Sequence, residues 1–151
     1  MTETDKGMSP ETGTRKANWT ARRVGSFFEH VGILWTLREG DSWAYALEAE
    51  TQHANHAGLI HGGAILTLID HAFSLVAWEA CDRRPCVTIQ LDTHFLRAVQ
   101  PGAFIECRPQ ISRRTSKLIF LDGKVSVLGR EIASAKGIWA IHEPAITSET
   151  A

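Results

Sequence analysis

Asp70 stands in a run from Gly63 to Ala80 that is apolar on most sides, with Ile69 before it and Ala72, Phe73 and Leu75 after it. A carboxylate in such company is costly unless it is paired, solvated or kept neutral by a raised pKa. Thr67, Asp70, His71 and Ser74 fall at i, i+3, i+4 and i+7, which on a helix makes one polar stripe. Such stripes are most often the exposed or subunit-facing side of a helix. Three neighbouring features point beyond that reading. His61-Gly62-Gly63 opens the same run, and the first amides of a helix lack intrahelical partners and carry partial positive charge. Glycines there admit a substrate to the backbone, where a developing oxyanion can be held, although paired glycines also simply make turns. Asn55 precedes Gly62 by seven residues; its amide can donate to a carbonyl or a water, or fold into an ordinary Asx turn. The third feature is distance. Asp70 lies eight residues beyond Gly62, roughly 12 Å along a helix axis, too far for both to serve one carbonyl in the same chain. An antiparallel second copy would close that gap, which predicts a two-fold dimer with two equivalent sites at its interface.

The elements that must position these residues read as follows. Residues 1–17 are polar with almost nothing to bury and are expected to form a disordered arm. Residues 18–143 read as one domain, followed by a tail over 144–151. Trp19, Val24, Phe27, Phe28 and Val31 recur at helical steps and predict an amphipathic helix over 18–32. Ile33–Leu37 and the alternation of Trp43, Tyr45, Leu47 and Ala49 predict a hairpin turning at Glu39-Gly40-Asp41. A histidine-rich loop, 51–61, leads into the long helix over 63–80. From residue 87, Val87, Ile89, Leu91 and Phe95 alternate with Thr88, Gln90, Asp92 and His94 in a strand pattern. Pro101-Gly102 suits the middle of a type II turn, and residues 117–128 and 130–142 suit a long hairpin around Gly129. Consecutive strands without alternating helices argue for an antiparallel sheet of the α+β class, and a helix apolar nearly all round belongs inside it.

The chain has 151 residues, 44 % of them apolar, enough for one core. Its net charge of −1 gives no whole-protein field that would draw nucleic acid or an anionic membrane. Cys81, Cys86 and Cys107 form no CxxC pair and are expected to be reduced thiols. The first 20 residues hold no apolar signal-like segment, and no unbroken apolar run reaches the ~20 residues of a membrane span, so a cytoplasmic location is the expectation.

Taken together, Asn55-x-x-Gly58-x-x-His61-Gly62-Gly63 followed by Thr67-Leu68-x-Asp70 resembles the signature of the PaaI-like (phenylacetyl-CoA thioesterase) branch of the hotdog superfamily. Asp92-Thr93-His94-Phe95-Leu96-Arg97 with Pro101-Gly102, and Arg113-Arg114-Thr115-Ser116-Lys117-Leu118, continue the likeness, which spans about residues 24 to 142. The resemblance implies a hotdog fold, a curved antiparallel sheet wrapped around a long central helix. It also implies a homodimer with a continuous sheet, commonly paired into a homotetramer, and hydrolysis of acyl-CoA with no metal and no cofactor, CoA being part of the substrate. On this resemblance Asp70 is the catalytic carboxylate, acting as general base on a water or as the nucleophile that gives a mixed anhydride, Gly62 supplies the carbonyl-polarising amide, Asn55 assists it, His61 positions the thioester and Thr88 orients the attacking water. Thr88 stands where the family has serine, so the hydroxyl is kept and a methyl added; Ala98 replaces a frequent proline. Gly63, Arg97, Arg113, Arg114, Ser116 and Lys117 fall where the family meets substrate, though a basic cluster is equally a solvated hairpin end.

Rival chemistries are weaker. His53, His56, His61, His71 and Asp70 could ligate a metal, but no recognised ligand spacing is present. Cys81 and Cys86 lack a base and an orienting group in sequence. A hydratase needs a differently spaced Asp and His. A non-catalytic acyl-CoA or lipid binder on the same fold is the alternative, since fold does not fix function. Trp35, Trp43, Phe73, Trp78 and Trp139 could line an acyl pocket or belong to the core, so the acyl group is not readable.

Overall fold

The computed structural model describes residues 16–143. The expected arm, but for its last two residues, and the tail over 144–151 lie outside the described residues. In chain order the elements are β1 (Thr20–Arg22), α1 (Ser26–Val31), β2 (Leu34–Glu39), β3 (Ser42–Glu48), a single 3-10 turn (Thr51–His53), α2 (Gly62–Ala80), β4 (Cys86–Phe95), β5 (Phe104–Arg114), β6 (Leu118–Val127) and β7 (Arg130–Ile141). The strands form one antiparallel sheet in the order β1-β2-β3-β5-β6-β7-β4. After α2, β5, β6 and β7 pair in sequence as hairpins, and β4 lies at the far edge beside β7.

The inner face of the sheet closes on α2, whose Ile65, Leu68, Ile69, Ala72, Phe73 and Ala77 are buried. Phe73 meets Trp139 of β7 with ring centroids 5.6 Å apart, and the indole donates to Ser74 Oγ at 2.9 Å. Both rings are therefore core. By length and composition α2 could cross a membrane; here it is the core helix, packed against β3, β4 and β5. The turn at Pro101-Gly102 forms as expected, with Gly102 at φ 93.

Two expectations need correction. The helix over 18–32 is in fact a short strand followed by the six-residue α1. Gly25 and Ser26 both take positive φ, 66 and 51, which no continuous helix allows. The apolar residues spaced for one helix face serve two layers. Phe28 packs toward α2, whereas Trp19 lies on the outer face of the sheet, edge-on to Phe104 at 5.3 Å. That outer cluster buries Ala44 and Ala46, so β3 is covered on both faces rather than half-buried.

The second correction concerns β4. Its pairing with β7 slips between Thr88 and Gln90, a β-bulge. One extra residue inverts the faces on either side of it. Val87 and Ile89, which alternation sets on one face with Leu91, are 51 % and 60 % exposed, while Thr88, Leu91 and Thr93 are partly covered.

Candidate active site

The bulge turns Thr88 toward α2, where its hydroxyl donates to Asp70 Oδ1 at 2.7 Å. Asp70 is half-buried and keeps its second carboxylate oxygen for another donor. The rest of the polar stripe is taken up inside the chain. Thr67 Oγ1 donates to Gly63 O at 2.8 Å, and Ser74 accepts from Trp139. His71 stacks on Phe28 of α1 at 4.6 Å between ring centroids. Its Nε2 is buried and has no partner among the described residues. Burial holds the His71 pKa below the ordinary imidazole value, a shift that the Asp70 carboxylate partly opposes.

At the N-terminus of α2, His61 is the N-cap and its Nδ1 accepts the Gly63 N–H at 2.8 Å. Ala64 N–H bonds back to His61 O at 3.0 Å. The Gly62 N–H is left without a partner among the described residues. The ring of Phe95 lies over Gly62, and a Cβ there would come within 3.2 Å of it, so any larger residue would press on the ring.

Asn55 shows that its two sequence readings are compatible. Its Oδ1 accepts from Ala57 N–H at 2.9 Å and Leu59 N–H at 3.2 Å, an Asx turn. Backbone donors on one end of the amide fix its orientation and leave the Nδ2 donors for other groups. Asn55 and Gly62 share one hollow of about 300 Å³, with Ile65 and Phe95 in its wall and Arg97 at its rim. Phe95 and Ile65 were not foreseen here; both read as plain core alternation, and no sequence signal separates a core side chain from a hollow-lining one.

Most of the remaining predicted residues lie outside that hollow. Asp70 lies further along α2, with Thr88 of β4 beside it, and the hollow contains neither. Arg97 donates to Glu131 O at 2.6 Å. Arg113, Arg114, Ser116 and Lys117 sit at the β5–β6 turn, which Thr115 Oγ1 organises by accepting from Lys117 N–H and Leu118 N–H. That turn adjoins the start of β4: Lys117 O accepts from Ile141 N–H, and Ile141 pairs with Cys86. It therefore lies toward the C-terminal end of α2, away from Gly62. Of the other histidines, His53 is tied by both ring nitrogens, to Glu50 N–H at 2.8 Å and to Val31 O at 2.6 Å. Among the described residues no group of three or more His, Cys, Asp and Glu side chains is placed to hold a metal.

A long helix sheathed in one antiparallel sheet has known counterparts. Residues 57–133 match the family model of the thioesterase superfamily. The chain belongs to the thioesterase superfamily. The protein PA0474 of Pseudomonas aeruginosa, whose name assigns it provisionally as an esterase, is 27 % identical over 95 residues, 62 % of this chain and 71 % of that protein. The superfamily's hotdog fold recurs in solved structures. A mutant of the phenylacetic acid degradation protein PaaI from Thermus thermophilus is 25 % identical, with TM-score 0.69 over 77 % of this chain and 98 % of that one. The BH2602 protein from Bacillus halodurans, crystallised with CoA, shares the fold at 20 % identity and TM-score 0.71, covering 82 % and 83 %. This thioesterase-superfamily chain is thus a hotdog protein with a single central helix and a seven-stranded sheet.

Proposed function

We propose that the protein hydrolyses the thioester of an aryl- or fatty-acyl-CoA to the free acid and CoA, at a site built from two copies of the chain. The observation that carries this reading is the Thr88–Asp70 hydrogen bond, which fixes one carboxylate oxygen and leaves the other open to a water. The Asp70 Oδ2 takes a proton from that water, and the Thr88 oxygen steadies it by accepting from its second hydrogen. The water oxygen attacks the thioester carbon. The oxyanion that forms is held by the Gly62 N–H and the Asn55 amide of the neighbouring copy. The tetrahedral centre collapses by expelling the CoA thiolate, a good leaving group that takes up the proton held on Asp70. His61, fixed through Nδ1, presents Nε2 beside the thioester. Arg97 of one copy and Arg113, Arg114, Ser116 and Lys117 of the other serve the anionic end of CoA.

The test is thiol release from a panel of aryl-, short-chain and long-chain acyl-CoAs, run beside Asp70→Asn and Asn55→Ala. Asp70→Asn is expected to lower kcat by roughly 10²–10⁴-fold, the weight of a general base. Asn55→Ala is expected to cost about 10²-fold, the weight of one oxyanion donor. Slow rates that are flat across the panel and indifferent to Asp70→Asn would make the protein an acyl-CoA or lipid binder instead.

A further inference from the structure

Beyond the proposed hydrolytic site, Cys81 and Cys86 form a second reactive group. Their sulfurs are 2.9 Å apart and both are free thiols. Cys81 caps the C-terminus of α2 and is fully buried; Cys86 is the first residue of β4 and is partly exposed. The loop between them is built to bring them together. Asp82 and Arg83 both take left-handed backbone, φ 57 and 62, without being glycine, and so reverse the chain within a few residues. The reversal is held by Arg83 N–H to Trp78 O at 2.9 Å, Arg84 N–H to Cys81 O at 3.2 Å and Arg84 Nε–H to Cys81 O at 3.1 Å. A disulfide of about 2.05 Å requires the sulfurs to close by roughly 0.9 Å from their present separation.

We propose that Cys81 and Cys86 are an oxidative modification site, a dithiol that a peroxide converts to an intrachain disulfide linking the end of α2 to the start of β4. The partly exposed Cys86 thiol reacts with hydrogen peroxide to give a sulfenic acid and one water. The Cys81 sulfur then attacks the sulfenic sulfur, forming the S–S bond and expelling the second water. Two thiols and one peroxide thus yield one disulfide and two waters, with peroxide taking both electrons. Burial, with the bond to Cys81, pushes the Cys86 thiol up to about 12, although Arg84 and Arg114 beside it favour the thiolate. The Cys86 thiol therefore rests protonated at neutral pH, and its conversion needs an added oxidant. Cys107 is buried in the core apart from the pair.

The experiment treats the native protein with hydrogen peroxide, alkylates remaining thiols after unfolding, and digests with trypsin without reductant. Trypsin cuts between Cys81 and Cys86 at Arg83 and leaves the Arg84–Pro85 bond whole, so the two thiols fall in separate peptides, 39–83 and 84–97, with Cys107 in 98–113. The expected product is peptides 39–83 and 84–97 joined and two hydrogens lighter than their sum, from protein that still runs as a single chain without reductant, with Cys107 alkylated. Tm is expected to rise by a few degrees on oxidation, since a cross-link restricts the unfolded chain, and to stay put in Cys86→Ser treated alike. Recovery of both peptides as alkylated singles, or linkage mainly through Cys107 or between chains, would overturn the proposal.

Discussion

At the scale of the residue, Thr88 decides how Asp70 is presented. Its proton goes to Asp70 Oδ1, which leaves its oxygen free to act as an acceptor. Thr88→Val keeps the shape and removes both functions. It is expected to lower kcat by about 10-fold or more with KM little changed, because the loss falls on the water and not on the bound acyl-CoA. Thr88→Ser should restore the rate, and steady-state kinetics of the pair check it. His71 makes a different prediction, about stability. Its folded pKa lies below the ordinary 6.5 because burial disfavours the imidazolium. Between those two values the unfolded chain binds a proton that the folded chain refuses, so stability is full above 6.5 and is lost as pH falls from there through the lowered value. Tm is expected to drop as pH is lowered through and below 6.5, and His71→Gln should flatten that drop. At this scale the sequence was legible in part. Asp70 stood out because no other carboxylate occurs on α2 before Glu79. Thr88 could be reached only through family resemblance, since a threonine in a strand pattern signals nothing by itself.

At the scale of the element, α1 is a strap across α2, and its two phenylalanines separate packing from spacing. Phe28 is 3 % exposed and lies on His71, whereas Phe27 is 69 % exposed. Phe28→Ala is expected to cost about 3–5 kcal/mol in urea unfolding, and Phe27→Ala within about 0.5 kcal/mol. The helical spacing of Trp19, Val24, Phe27, Phe28 and Val31 could not distinguish them. Periodicity reports which residues are apolar, not which layer receives each one, and here the chain changes layers at Gly25 and Ser26. The β2–β3 hairpin, α2 and the β6–β7 hairpin were legible because each keeps one period over most of its length, the β6–β7 pairing slipping only near its turn, between Val125 and Ser126. The faces of β4 were not, because a bulge leaves no mark in alternation, and the element that breaks its period is the one that aims Thr88.

At the scale of the whole molecule, the predicted site is divided along α2. The proposed oxyanion donors lie at its start and the proposed catalytic carboxylate about 12 Å further on. β4, which carries Thr88, is an edge strand paired among the described residues only to β7, and Val87 and Ile89 project from it into solvent. An edge with unpaired backbone and exposed apolar side chains is suited to meeting a second copy. A two-fold pairing would set Gly62 and Asn55 of each chain against Asp70 and Thr88 of the other. Asp70→Asn and Asn55→Ala then damage opposite halves of a shared site. In a mixed dimer of the two variants, one site carries both lesions and the other carries none. Random assembly makes half the dimers mixed, each with one intact site of two, so about a quarter of wild-type turnover should return when the variants are coexpressed. Neither variant alone has that activity, and mixing folded homodimers without exchange should not produce it. If Asp70 and Gly62 served one carbonyl within a single chain, every chain in the mixture would carry a lesion and turnover would stay at the level of the parents. The thiol-release assay on coexpressed and separately purified variants distinguishes these outcomes, because only a site drawn from two chains can be rebuilt from two defective ones.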